Sequence, residues 1–211
     1  MLTLLLPLAV ASSTLDNLRG TARNAKGGAI VLNNDGVTYI SGLRSWPASV
    51  DGEPILLEGT VKIEHYLPAV KVSADGAYSQ GVTQGDIQEV LHLTAWCKQG
   101  SALCVEPGAW RLEITDTDGN LTKIWREQRE VHWLMAPIAG PPRRGVLTEA
   151  QILTLWGTLQ TVQENPRYLT KAKQEDTSRI RLFRYTGEAL VHLKPKGFAP
   201  LLAFLHTLKS S

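Results

Sequence analysis

The chain has two cysteines, two methionines and three phenylalanines in 211 residues, and no apolar run of the roughly 18 residues a membrane-crossing helix needs. Each shortage excludes something. With Cys97 and Cys104 as the whole thiol complement, zinc would need histidine partners. His65, His92, His132, His192 and His206 fall at none of the spacings that supply them. No metal and no cofactor is expected. Also missing are a glycine-rich phosphate loop, a GxSxG elbow, an HExxH pair and a framed pair of carboxylates. Catalytic groups need only meet in space, yet without a frame the expectation is a protein that is not an enzyme.

Charge of one sign is scarce too. The net charge is +2, with seven Lys and Arg against nine Asp and Glu in residues 1–104, and fifteen against eleven in residues 105–211. That excess is far below the basic stripe of a dedicated nucleic-acid binder. Apolar residues make up 43% and charged residues 20%, the composition of a folded chain whose length allows one large core or two modest ones. Two are expected.

What is there begins with the apolar block "MLTLLLPLAVA" at residues 1–11. It ends in Ala9, Val10 and Ala11, the small-residue spacing a signal peptidase prefers, although it is short and has no Lys or Arg ahead of it. As an export leader it puts the protein in the periplasm or outside the cell; as a first strand or helix packed on the core it leaves it in the cytoplasm. Cys97 and Cys104 enclose "KQGSAL", whose Gly100-Ser101 is turn chemistry, so a disulfide is geometrically reasonable. In an exported protein the pair is a staple; in a reducing cytosol it is two buried thiols.

Residues 12–96 read as short strands. "GAIVLNNDGVTYISGL" (28–43) is a hairpin about the turn at 33–36, and "ILLEGTVKIEHYL" (55–67) is a long β-prone stretch with Gly59 where a bulge belongs. "IQEVLHLTAW" (87–96) is strand-like again. Strands bent at glycines with no helix between them point to a small all-β OB-like barrel over 12–96, followed by a linker at 97–108 that holds the cysteines. The stretch "GTARNAKGGAIVLNNDGVTYISGLRSWPASVDGEPILLEGTV" (20–61) resembles a small bacterial domain found behind export leaders. More broadly, residues 20–96 resemble uncharacterised OB-like barrels of the bacterial periplasm. The resemblance implies a fold and a compartment without a reaction. OB barrels bind single-stranded nucleic acid or glycans on aromatic platforms, so Arg19, Arg23 and Lys26 are the candidate nucleic-acid-binding residues, with Tyr39, Trp46, Tyr66 and Tyr78 as stacking candidates or core.

Residues 109–211 read as an α+β domain. "AWRLEITDTDGNLTKIWREQREVHWLM" (109–135) alternates about Asp118-Gly119 as a meander. Asp116, Asp118, Asn120 and Glu127 fit calcium-loop positions, but Leu121 stands where that loop requires glycine, so a plain Asp-Gly turn is the reading. A proline-rich loop at 136–145 leads to a helix over 147–162 with Thr148 and Gln151 at capping-box spacing. Two strands over 178–193 and a helix over 198–210 complete an antiparallel sheet with two helices on one face. This order of meander, "LTEAQ" helix, strand pair and closing "APLLAFL" helix, over 109–208, is similar to the emfourin-type inhibitors of thermolysin-like metalloproteases. The resemblance implies a small domain that binds another protein.

With six tryptophans, and with Trp and Arg the residue types that dominate interfaces, the expected role is non-catalytic binding of another protein. The partner would be met as an inhibitor, an immunity factor or an envelope accessory component. Trp125, Trp133, Arg143 and Arg144 are the candidate contacts, and nucleic-acid or glycan binding by the barrel is the alternative.

Overall fold

A computed structural model describes residues 13–34, 36–64, 71–72, 78–79, 88–104, 109–170, 177–184 and 187–209. The leader at 1–11 and Tyr66 lie outside them, as does the side chain of Tyr78.

The first strand, β1 (Ser13–Ala25), turns at Lys26-Gly27 into β2 (Gly28–Asn33), and β2 turns into β3 (Gly36–Ile40). Gly36 ends that second turn with φ of 137°, a conformation open to glycine and strained for other residues. After the link at 41–53, β4 (Pro54–Glu64) pairs antiparallel with β1. Two short strands, β5 (Lys71–Val72) and β6 (Tyr78–Ser79), pair with each other. Then β7 (Gln88–Lys98) lies antiparallel to β4 and parallel to β3, closing a barrel in the order β1-β2-β3-β7-β4. Closure removes free edges from this five-stranded sheet. Gly59 acts as its position predicts. The β4–β7 register shifts between Glu58 and Gly59, and a side chain at 59 would run into the carbonyl of His92.

The second half is an open sheet of seven strands. These are β8 (Arg111–Thr115), β9 (Leu121–Glu127), β10 (Glu130–Ala136), β11 (Arg143–Val146), β12 (Leu169–Thr170), β13 (Ser178–Arg184) and β14 (Gly187–Leu193). Their order is β11-β10-β9-β8-β13-β14-β12, antiparallel throughout. The expected loop at 136–145 is corrected in one respect. Its last residues begin β11, because Arg143 and Arg144 pair with Met135 and Leu134. The Asp-Gly turn between β8 and β9 is as read. Gly119 takes φ of 84°, and the Asp116 carboxylate accepts from the Asn120 backbone and side chain at 2.8 Å each.

Helix α1 (Glu149–Glu164) starts with the predicted capping box between Thr148 and Gln151. It does not lie on the sheet alone. Trp156 donates from its indole N–H to the Thr94 carbonyl of β7 at 3.1 Å, while its ring meets Trp110 edge-on at 5.2 Å. The helix is therefore wedged between barrel and sheet. Helix α2 (Pro195–Lys209) buries Phe198, Leu201, Phe204, Leu205 and Leu208, while Leu202 is 40% exposed.

The expected pair of separate nuclei is replaced by one continuous apolar cluster, running from Leu18 and Leu57 of the barrel through Trp96, Trp110 and Trp156 to Ile180 and Leu208. The expected linker is correspondingly tight. Cys97 is the penultimate residue of β7, and it lies at disulfide distance from Cys104 with Cα atoms 5.1 Å apart, both side chains buried. Gln160 and Gln163 of α1 accept from the backbone N–H of Lys98 and Leu103 at 3.2 and 2.9 Å. Arg184 of β13 donates to the Cys104 carbonyl at 3.0 Å. Barrel, helix and sheet thus meet at this loop.

Candidate binding surface

Alternation along the strands divides the second sheet into two faces. Leu112, Ile114, Ile124, Val131, Trp133, Met135, Ile180 and Leu182 point into the common interior. The opposite face carries their sequence neighbours. Cross-strand pairing sets these in rows: Val146, His132, Trp125, Arg111, Phe183 and Glu188 in one, and Arg144, Leu134, Lys123, Glu113, Arg181 and Leu190 in the next. All are half-buried or exposed, so neither helix covers this face.

Its chemistry is aromatic and basic. Trp125 stacks on His132 with ring centres 5.7 Å apart and planes 22° apart, and the Arg111 guanidinium lies 4.3 Å from the centre of the Phe183 ring. Glu113 is held by Arg111 at 3.2 Å and Lys123 at 3.8 Å, and Glu188 by Arg181 at 2.8 Å. Glu127 and Glu130 lie 3.9 and 3.6 Å from Nε2 of His132, so four carboxylates stand against Arg111, Lys123, Arg144, Arg179 and Arg181, a small positive excess concentrated away from His132. Arg179 forms no ion pair among the described residues and lines a notch of about 160 Å³ with Glu113, Thr115 and Arg181. Two arginines against one carboxylate leave the notch room for a further acidic side chain.

Of the four expected contacts, two lie on this face. Trp125 is in its middle and Arg144 is exposed on β11, the sheet's edge strand; Arg143, also exposed on β11, pairs with Met135 and so stands on the opposite face. Trp133 is corrected. It points inward from β10, is 6% exposed and packs its indole on Gly145, so it supports the surface from beneath. Composition alone does not pick out Arg111, Phe183, Arg179 and Arg181, although "RLEIT" and "SRIRLFR" carry the signal: charged or aromatic residues at alternate positions between buried aliphatic ones.

A second feature is a cleft of about 390 Å³ between the barrel and the sheet, lined by Lys62, His92, Arg129, Val146 and Glu149 among others. Glu149, in the first turn of α1, pairs with Nδ1 of His92 on β7 and accepts from the Ser41 hydroxyl at 2.7 Å. Partial burial pushes its carboxyl up, but the bonds from His92 and Ser41, with the positive charge of His92 and Lys62, outweigh this and hold it below the usual value. The carboxylate sits between serine and histidine, so the hydroxyl is not activated by the imidazole as in a nucleophilic triad.

On the barrel, Arg19 and Arg23 are exposed on β1 and Lys26 is exposed in the β1–β2 turn, where the half-buried Tyr39 ring lies over Gly27. Arg23, Lys26 and Tyr39 are gathered at one end of the barrel. Trp46 is not available for stacking: it is 2% exposed, set edge-on to Trp96, and donates to the Ile30 carbonyl at 2.9 Å. Among the described residues no group of three His, Cys, Asp or Glu side chains could hold a metal, and no helix is long and apolar enough to cross a membrane. No protein-family model, curated protein or solved structure matches the chain.

Proposed function

We propose that this is a non-catalytic binding protein of an oxidising, extracytoplasmic compartment, and that it engages another protein with an acidic surface through the outer face of its second sheet. One observation carries the reading. An uncovered sheet face presents Trp125 stacked on His132 and Phe183 beneath Arg111, with Arg144, Arg179 and Arg181 around them. Aromatic rings and arginines combine large contact area with directed hydrogen bonds, which is why they dominate interface energetics. The cysteine pair at disulfide distance supports the compartment. The strand order β1-β2-β3-β7-β4, with its parallel β3–β7 pair, supports the OB-like reading of the barrel. A role as inhibitor, immunity factor or envelope accessory component is consistent with such a surface, as is the emfourin-like order of the second half.

The experiment is capture of partners by the immobilised full chain. Trp125→Ala and Arg111→Ala are expected to weaken a captured acidic protein at least about tenfold, and the triple Arg19→Ala, Arg23→Ala, Lys26→Ala variant to leave it unchanged. A second reading rests on Arg23, Lys26 and Tyr39 at the β1–β2 turn, which would suit single-stranded nucleic acid or a glycan. A salt-dependent shift of a labelled oligonucleotide that the triple variant abolishes would favour it over the first.

A further inference from the structure

The surface proposed above ends at a free strand edge, and the edge has a readable pattern. Among the described residues β11 borders the sheet with its whole length open, whereas at the other border the two-residue β12 pairs with His192 and Leu193 and leaves Gly187–Val191 of β14 without a strand neighbour on that side. Leu147 donates its N–H to the carbonyl of Val131, the residue opposite it in the β10–β11 register. Antiparallel pairs alternate between hydrogen-bonded and non-bonded. Gly145 and Arg143 therefore turn their backbone groups toward β10, and Val146 and Arg144 turn theirs outward. The side chains of Val146 and Arg144 lie on the outer face, in the rows of His132 and Leu134. Val146 is 46% exposed, so no described residue covers the edge at this point.

We infer that β11 is a docking edge for an extended acidic segment of the partner protein, which adds an eighth strand to the sheet. This rests on the outer face being the binding surface and names how the partner is held. Main-chain bonds to Arg144 and Val146 supply affinity, and alternate side chains supply selectivity. An acidic side chain belongs opposite Arg144 and an apolar one opposite Val146. Val146 also lines the cleft, so the added strand ends beside Lys62, His92 and Arg129, with Glu130 and Glu149 among them. A second copy of the chain is a poor occupant, because antiparallel pairing of β11 with itself brings the Arg143-Arg144 pairs of both copies together.

The test uses the full chain and a short fluorescein-labelled glutamate-valine peptide of Glu-Ser-Val-Ser repeats, in which glutamate and valine alternate along one face of the strand, followed by anisotropy. Binding is expected, with at least about a tenfold loss for Arg144→Glu and for Val146→Pro, which removes an outward N–H without touching the β10 ladder. The lysine-valine peptide should not bind. Should a variant fail to fold, as its thermal transition would reveal, the glutamate-valine peptide methylated on alternate backbone nitrogens makes the same test on the unaltered protein, and it should not bind. Equal binding of the methylated peptide, full binding by folded Val146→Pro, or no binding of the glutamate-valine peptide overturns strand addition. In each of those cases a captured acidic partner that still depends on Trp125 leaves the broader reading standing, whereas loss of that dependence removes it independently.

Discussion

Glu58 of barrel strand β4 forms an ion pair with Arg126 of sheet strand β9, and its other carboxylate oxygen accepts the indole N–H of Trp110 at 2.9 Å. The carboxylate is 1% exposed and the arginine 16%. A charge so enclosed depends on its partners, and here they come from the other half of the molecule.

Removing one member should cost more than removing both. Arg126→Met would strand the buried carboxylate and destabilise the protein by about 3 to 5 kcal/mol, while Glu58→Leu with Arg126→Met should cost clearly less. Equilibrium urea unfolding of the two variants measures the difference.

The cysteine pair encloses a small loop, for which the chain-entropy model gives about 2 to 3 kcal/mol of stabilisation when bridged. Cys97→Ser with Cys104→Ser should lower the thermal midpoint. Reductant should move the wild-type midpoint toward that of the variant and leave the variant itself unmoved. A wild type indifferent to reductant would mean that the thiols are free.

Acid should loosen the joint between α1 and the barrel. Because the folded Glu149 carboxyl titrates below its ordinary value of 4.5, its contacts with His92 and Ser41 contribute fully above that value and are lost as the pH falls through the lower folded one. Glu149→Gln should flatten the acid limb of stability against pH, read from urea midpoints. At the other extreme, the bond from Glu164 raises Lys98 above 10.5, outweighing its burial, with the charges of Glu164 and Glu53 adding to it. That contribution is full below pH 10.5 and lost as the pH rises through the folded value, so Lys98→Met should flatten the alkaline limb.

Gly145→Ala tests the seat of β11. A Cβ there would stand 2.8 Å from Nε1 of Trp133, inside contact distance of a ring packed in the core. The expected cost is about 1 to 3 kcal/mol, with a red shift or broadening of tryptophan emission if the indole is displaced.

Much of this fold could be read from local signals. The turn at 33–36, the bulge at Gly59 and the Thr148 cap each depend on a few adjacent residues, and each is where the pattern predicts. What could not be read depends on residues far apart in the chain. Nothing near Trp156 says that its ring will lie against Trp110 while its N–H reaches Thr94, so α1 was assigned to the sheet alone. For the binding surface, composition drew attention to Trp133, whereas strand phase decides that Trp125 faces out and Trp133 in. Period-two alternation was present in the letters, but which phase is covered depends on where the helices lie.

The wedge position of α1 has a consequence for how the molecule comes apart. A helix that fills the gap between barrel and sheet leaves neither half with a complete lining of its own, so calorimetry should record one cooperative melt rather than two. The barrel expressed separately would present a wet, oily wound where Trp156 had been, the second half would bare Trp156 itself, and both would aggregate.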